Sequence, residues 1–191
     1  MQEISVSIRP AETSDAIGLA RVQVETWRDA YVGVLPDAAL VDLDEMRAAV
    51  RWTRVVSSLE EPERLSVADV DGDTIGFCHG GPGRRSVTLA TGAGDRMAEV
   101  YALYVDPSYQ GLGIGRALLG HVANGLESDG FEALTILTLE SNRHAGRFYE
   151  ALAGVPGDVV PSVVSGVPVD QIPYAWRDIS VLVRRIETAE G

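Results

Sequence analysis

The chain has a single cysteine, Cys78, so no disulfide can form within it. Its setting, TIGFCHG, reads as the interior of a strand, where a thiol behaves as a small buried hydrophobe rather than a nucleophile. A run of about 18 consecutive apolar residues is also lacking, and the opening MQEISVSIRP has no basic segment followed by an apolar one. The expectation is a cytoplasmic protein with neither leader nor membrane span. Positive charge is scarce: 16 Lys and Arg stand against 28 Asp and Glu, for a net charge of -12. The acidic residues are spread along the chain, so neither nucleic acid nor an anionic membrane is an expected partner. The three histidines, His79, His121 and His144, lack ligand spacing, and no metal is expected.

What is present suits a folded chain. Hydrophobic residues make up 46% and charged residues 23%, far from the composition of a disordered protein. A length of 191 residues fits one domain, expected over 1–186, with ETAEG at 187–191 as a frayed tail.

EISVSI, residues 3–8, alternates as a strand. A helix follows from about Ser14 to Tyr31, with Ile17, Ala20, Val24, Trp27 and Tyr31 as its inward stripe and Thr13, Ser14 and Asp15 as capping choices. Pro36 begins a short helical piece. The next helix, about 44–59, carries Met46, Ala49, Val50, Thr53 and Val56 on one face. Strands near 65–70 and 74–80 flank DGD, whose Asp-Gly tolerates the positive φ of a tight hairpin. The segment GPGRRSVTLATGAGDR reads as loop.

MAEVYALYV, 97–105, is apolar on both faces apart from Glu99, as in a central strand. After a glycine run, Ile114, Ala117, Leu118, Val122 and Leu126 mark a helix stopping near Gly130. EALTILTL is a further central strand, a helix spans about 142–153, and the remainder reads as two closing strands. The order argues for an α+β fold, a mixed sheet with helices on both faces.

VDPSYQGLGIGRALL, 105–119, places glycines between that central strand and the following helix. Unpaired N–H groups and the positive end of the helix dipole meet there, and glycines let an anion reach them without a Cβ in the way. A P-loop needs Lys after its second glycine and none follows; the dinucleotide fingerprint needs a third glycine where Arg116 stands. Both patterns fail.

QGLGIG, Gln110–Gly115, resembles the Gln/Arg-x-x-Gly-x-Gly/Ala signature of the GNAT family of N-acetyltransferases. IRPAETSDA, VQVETWRDAYVG, LESNRHAGRFYEALAG and YAWRDI are also similar to family members, so the resemblance covers nearly the whole chain. It implies a mostly antiparallel sheet of about seven strands, splayed between strands 4 and 5. It further implies acetyl-CoA as cosubstrate. The backbone of Leu103, Tyr104 and Val105 would meet the pantetheine arm, and Gln110, Gly111, Gly113, Ile114, Gly115 and Arg116 would surround the pyrophosphate. Asn142 would meet the cofactor and Tyr149 would stand near the thioester sulfur. The acceptor implied is a small-molecule or peptide amine, and homodimers are frequent among similar proteins. One departure stands out: after the tyrosine many members read Leu-Gly-Phe, whereas this chain reads Leu152, Ala153, Gly154, Val155.

Chemistry adds conditions. An amine such as a lysine side chain titrates near 10.4, so it must lose a proton before attacking a thioester. Glu99, where similar proteins keep a base, is the candidate acceptor of that proton, unless it merely reaches solvent at a strand end. Tyr149 is a neutral O–H donor suited to the leaving thiolate, and equally suited to packing with Ala145, Phe148 and Leu152. Asn142 serves as well for capping the helix after Ser141. Trp27, Tyr31 and Tyr101 are candidates for an acceptor pocket, although core packing explains the first two equally well. A non-catalytic acyl-CoA sensor would keep the same glycine loop.

Overall fold

A computed structural model describes residues 5–31, 43–84, 96–164 and 166–188. The piece expected at Pro36, most of the Gly- and Arg-rich loop and the last residues of the tail lie outside them. Five helices and eight strands are described: β1 (Ser7–Pro10), α1 (Ala16–Ala30), α2 (Glu45–Ser57), β2 (Arg64–Val70), β3 (Asp73–Pro82), β4 (Met97–Val105), α3 (Ile114–Ser128), β5 (Ala133–Leu139), α4 (Arg143–Ala151), β6 (Val155–Pro156), β7 (Val160–Val164), β8 (Val167–Trp176) and α5 (Ile179–Glu187). Strand order is β1-β2-β3-β4-β5-β8-β6, with β7 also on β8. The chain forms two compact units, Met1–His79 with Ala102–Val122, and Gly80–Tyr101 with Ala123–Gly191. β3, β4 and α3 run through both.

In the first unit β1 pairs antiparallel with β2, from Ser7↔Asp69 to Pro10↔Ser66. It begins later than the alternation over 3–8 suggests, and residues 3 and 4 are outside the described chain. Arg9 fixes the register by donating to both Asp15 oxygens at 2.8 Å and to Asp69 at 3.3 Å. Asp71 (φ 53°) and Gly72 (φ 91°) turn the hairpin from β2 to β3, the two consecutive positive φ angles that its tight form requires.

α1 buries Ala16, Leu19, Ala20, Val22 and Val24, and Ile17 is 76% exposed. That corrects the expected stripe. The helix lies so near β3 that a Cβ on Gly18 would stand 2.7 Å from Thr74 Cβ, and the small Ala16 takes the inward place given to Ile17. α2 is likewise turned: Ala48, Ala49 and Trp52 are buried, while Met46 (74%) and Val50 (48%) are exposed. Trp52 has the most apolar surface to bury and sets the phase. Its ring meets Phe77 edge-on at 4.9 Å, and its N–H donates to Gln23 at 2.9 Å.

In the second unit β5 runs parallel to β4 from Met97↔Ala133 to Val100↔Ile136, and β8 runs antiparallel to β5 from Leu134↔Trp176 to Leu139↔Gln171. The segment from Gly157 holds the two expected strands, β7 and β8, with the short β6 just before it, but ISVLVRR is helical. Its β-branched residues suggest a strand, but Ile179, Leu182, Val183 and Ile186 are buried at helical spacing. Asp178 caps that helix by accepting from Ser180 N–H at 3.0 Å. Before β6, Ala153 has φ 65°, and a Cβ on Gly154 would lie 2.8 Å from the Trp176 ring. Trp176 N–H donates to the Leu152 carbonyl at 2.8 Å, so the departure at Leu152–Val155 is where the chain wraps this indole.

Candidate active site

β4 ends in the first unit. Met97–Val100 are buried, whereas Tyr101–Val105, as apolar, are half-buried. The β5 register stops at Val100↔Ile136, so among the described residues the rest of this edge of β4 has no β5 partner. This is the splay, and Leu103, Tyr104 and Val105, the residues that the resemblance assigns to the pantetheine arm, lie within it. The Val105 carbonyl is engaged, accepting from Thr26 Oγ1 at 3.3 Å and from Gln110 Nε2 at 3.0 Å.

Asp106 is buried at the strand end. Its N–H donates to the Ile75 carbonyl at 2.9 Å, and its carboxylate accepts from Ser108 N–H at 2.9 Å and from Arg21 at 3.0 Å. Sequence reasoning passed over Arg21, Thr26 and Asp106; the Asp-Pro that ends the strand was the available signal. Gln110–Gly113 are exposed. Gly111 (φ 77°) and Gly113 (φ 81°) are left-handed, and no atom lies within 4 Å of the Cβ either would carry. Ala117 N–H donates to the Gly113 carbonyl at 3.0 Å, so α3 starts there. The N–H groups of Ile114, Gly115 and Arg116 then precede the first intrahelical donor.

Trp27 and Tyr31 also belong to the first unit and meet edge-to-face at 5.3 Å. Trp27 Nε1 is buried beside the Tyr104 phenol. Burial raises the Tyr31 phenol, with Tyr104 adding to the effect. Burial raises Tyr104 too, opposed by the Trp27 N–H and Arg51. Three polar tips on aromatic bodies therefore sense one another beside the end of β4.

The second unit holds the other candidates. Glu99 is fully buried and is not a strand-end residue reaching solvent. One oxygen accepts from Arg84 N–H at 3.0 Å and the other from Arg84 Nε at 2.8 Å and from Nη2. These bonds raise the Arg84 guanidinium against the opposing effect of burial. Arg84 also lies over the Tyr101 ring at 5.4 Å, and Tyr101 donates to the Pro82 carbonyl at 2.6 Å. Arg84, from the segment read as loop, is thus the partner of Glu99. Asn142 caps α4 by accepting from Ala145 N–H at 3.0 Å. Tyr149 is buried, in ring contact with Phe148, Tyr174 and Trp176. Burial raises the Cys78 thiol, which keeps it protonated and inert. Among the described residues no helix is long and apolar enough to cross a membrane.

A strand that loses its partner, a glycine turn and the start of a helix define a class of acyltransferase fold, and the comparisons agree. The family model described as Acetyltransferase (GNAT) family matches residues 21–155. The chain belongs to that family. It is 28% identical over 180 residues to the uncharacterized N-acetyltransferase YuaI of Bacillus subtilis (strain 168), covering 93% of this chain and 96% of that one. It is 33% identical over 147 residues to the mycothiol acetyltransferase of Acidothermus cellulolyticus, covering 69% of this chain but 44% of that longer protein. The fold also resembles the PaiA N-acetyltransferase of Thermoplasma acidophilum, solved in complex with coenzyme A, with a TM-score of 0.62 and 20% identity over 88% of this chain and 98% of that one.

Proposed function

We propose that the chain transfers the acetyl group of acetyl-CoA to a primary amine by direct attack in a ternary complex. The observation that carries this reading is the pair of left-handed glycines, open where a Cβ would stand, between the unpartnered end of β4 and the start of α3. Such a turn suits a pyrophosphate, which needs close main-chain approach and converging N–H donors. Gln110, Gly111, Gly113, Ile114, Gly115 and Arg116 would hold it. Leu103, Tyr104 and the Val105 N–H would take the pantetheine arm. Asn142 would add a cofactor contact beyond its cap.

In the reaction the amine nitrogen attacks the thioester carbonyl, its proton passes to a base, and the carbon–sulfur bond breaks. Glu99 is the proposed base and Tyr149 the proposed donor to the departing sulfur; Trp27, Tyr31 and Tyr101 would shape the acceptor side. A positioned base contributes roughly 10²–10⁴-fold. Glu99 must accept its proton beside Arg84, and Tyr149 must donate from a buried position. Those two facts favour the second reading, a sensor that binds acyl-CoA without turning it over.

Calorimetric titration with acetyl-CoA, beside ATP and NAD, tests the first step. Saturable binding of acetyl-CoA alone supports the site, and heat with none of them removes it. Thiol release that depends on an added amine then separates enzyme from sensor.

A further inference from the structure

The glycine turn has almost no packing of its own. Gln110–Gly113 are exposed, and the two left-handed glycines touch nothing where side chains would be. Something outside the turn must therefore fix its aim, and the bonds at Asp106 identify it. Arg21, on the middle of α1, donates from Nη1 to Asp106 Oδ2 at 3.0 Å and from Nη2 to the Thr74 carbonyl of β3 at 2.7 Å. The other Asp106 oxygen accepts from Ser108 N–H, starting the Pro107–Tyr109 turn that leads into the glycines. Asp106 N–H donates to the Ile75 carbonyl. One guanidinium thus joins a helix, a strand and the first residue of the loop. Thr26, farther along α1, holds the Val105 carbonyl just before it.

Charge adds a second reason for the pair. Asp106 is buried and anionic at the entry to a loop proposed to take a pyrophosphate, where an uncompensated carboxylate would repel the ligand. Arg21 offsets that charge. Burial opposes the positive charge of Arg21, but the Asp106 bond, with Glu25, Asp106 and Asp73 nearby, outweighs it and raises the guanidinium.

We infer that Arg21 and Asp106 are a positioning pair for the pyrophosphate loop: they set its exit angle from β4 and neutralise its entry, without themselves touching the cofactor. The inference rests on the acetyl-CoA reading. It assigns Arg21 a role in ground-state cofactor binding rather than in the chemical step, since the contact lies at the phosphate end of the site.

The test compares wild type with Arg21→Ala, Arg21→Lys, Asp106→Asn and Glu25→Gln. Coenzyme A binding is read by calorimetry, and KM for acetyl-CoA and kcat by thiol release, below the melting temperature of each variant. Asp106→Asn keeps an acceptor for Ser108 N–H but points an amide donor at Arg21, so it reads the same contact if Arg21→Ala does not fold. The expected result is about tenfold or greater weakening of coenzyme A binding in Arg21→Ala and Asp106→Asn, as small displacements of positioning groups produce. KM should rise by a similar factor with kcat little changed. Arg21→Lys, which keeps the charge and one bond, should recover part of the loss, and Glu25→Gln should match wild type. Unchanged affinity in folded Asp106→Asn, or a fall confined to kcat, would overturn the positioning role. Failure of wild type itself to bind coenzyme A would instead bring down the acetyl-CoA reading.

Discussion

Glu99 shows how far one residue's role depends on its partner. Its place as the sole ionisable group of an apolar strand is legible in the sequence, but the partner is not, because Arg84 comes from a loop 15 residues earlier. If Glu99 is the base, Glu99→Gln should depress kcat most at low pH and recover as pH approaches the amine's own titration, where the amine is already neutral before attack and the proton shed afterwards can pass to solvent. Coenzyme A binding should persist. A pH-independent loss, with lower stability, would instead make Glu99 the anchor of Arg84. Tyr149→Phe complements it: a slower chemical step at unchanged KM supports the donor role, and a wild-type rate returns Tyr149 to the ring cluster. Gly113 reports on the loop. Its Cβ would clash with nothing, so Gly113→Ala should cost only about 1 kcal/mol of backbone strain in urea unfolding. The added methyl stands where main chain must approach the phosphates, and coenzyme A affinity should fall about tenfold or more. Equal affinity would separate the glycine from the ligand.

Among the elements, β4 was legible to the residue, since a doubly covered strand reads as one apolar run closed by Asp-Pro. The helix faces were not. Periodicity counts apolar residues without weighing them: Trp52 outweighs Met46 and Val50 for the interior, and the close approach of Gly18 to Thr74 favours Ala16 over Ile17. α5 was missed because Val and Ile prefer strands, although its burial pattern and Asp178 cap were there to be read. The splay was legible only by resemblance, because nothing within a strand records where its neighbour leaves it. The entry to α1 carries a prediction of its own. Burial tends to raise the Asp15 carboxyl, but its bonds from Arg9 and Glu12 N–H prevail and lower it. A carboxyl lower in the folded state stabilises at pH above its ordinary value, and that contribution fades as pH falls toward the folded value. Unfolding free energy should therefore drop through the acid range in wild type and drop less steeply in Asp15→Asn. Identical slopes would show that the pair contributes nothing to acid sensitivity.

On the scale of the whole molecule, composition makes the chain an unusually clean reporter of its proposed activity. All 16 basic residues are arginine and none is lysine. Guanidinium groups stay protonated and do not attack thioesters at neutral pH, and the lone thiol is buried and raised. The only amine the protein offers acetyl-CoA is its own α-amine. Prolonged incubation with acetyl-CoA should therefore add at most one acetyl group to the intact mass, and thiol release without an added amine should stay at background. A gain beyond one acetyl would reveal a nucleophile that the sequence does not supply. With that background fixed, any amine that accelerates thiol release is an acceptor in its own right. The net charge of -12 gives a way to sort such amines: attraction for a cationic acceptor is screened by salt, so its KM should rise between low and physiological ionic strength while that of acetyl-CoA does not. A KM for every cationic amine that is insensitive to salt would show that acceptor choice rests on local contacts such as those of Trp27, Tyr31 and Tyr101, and not on the field of the molecule.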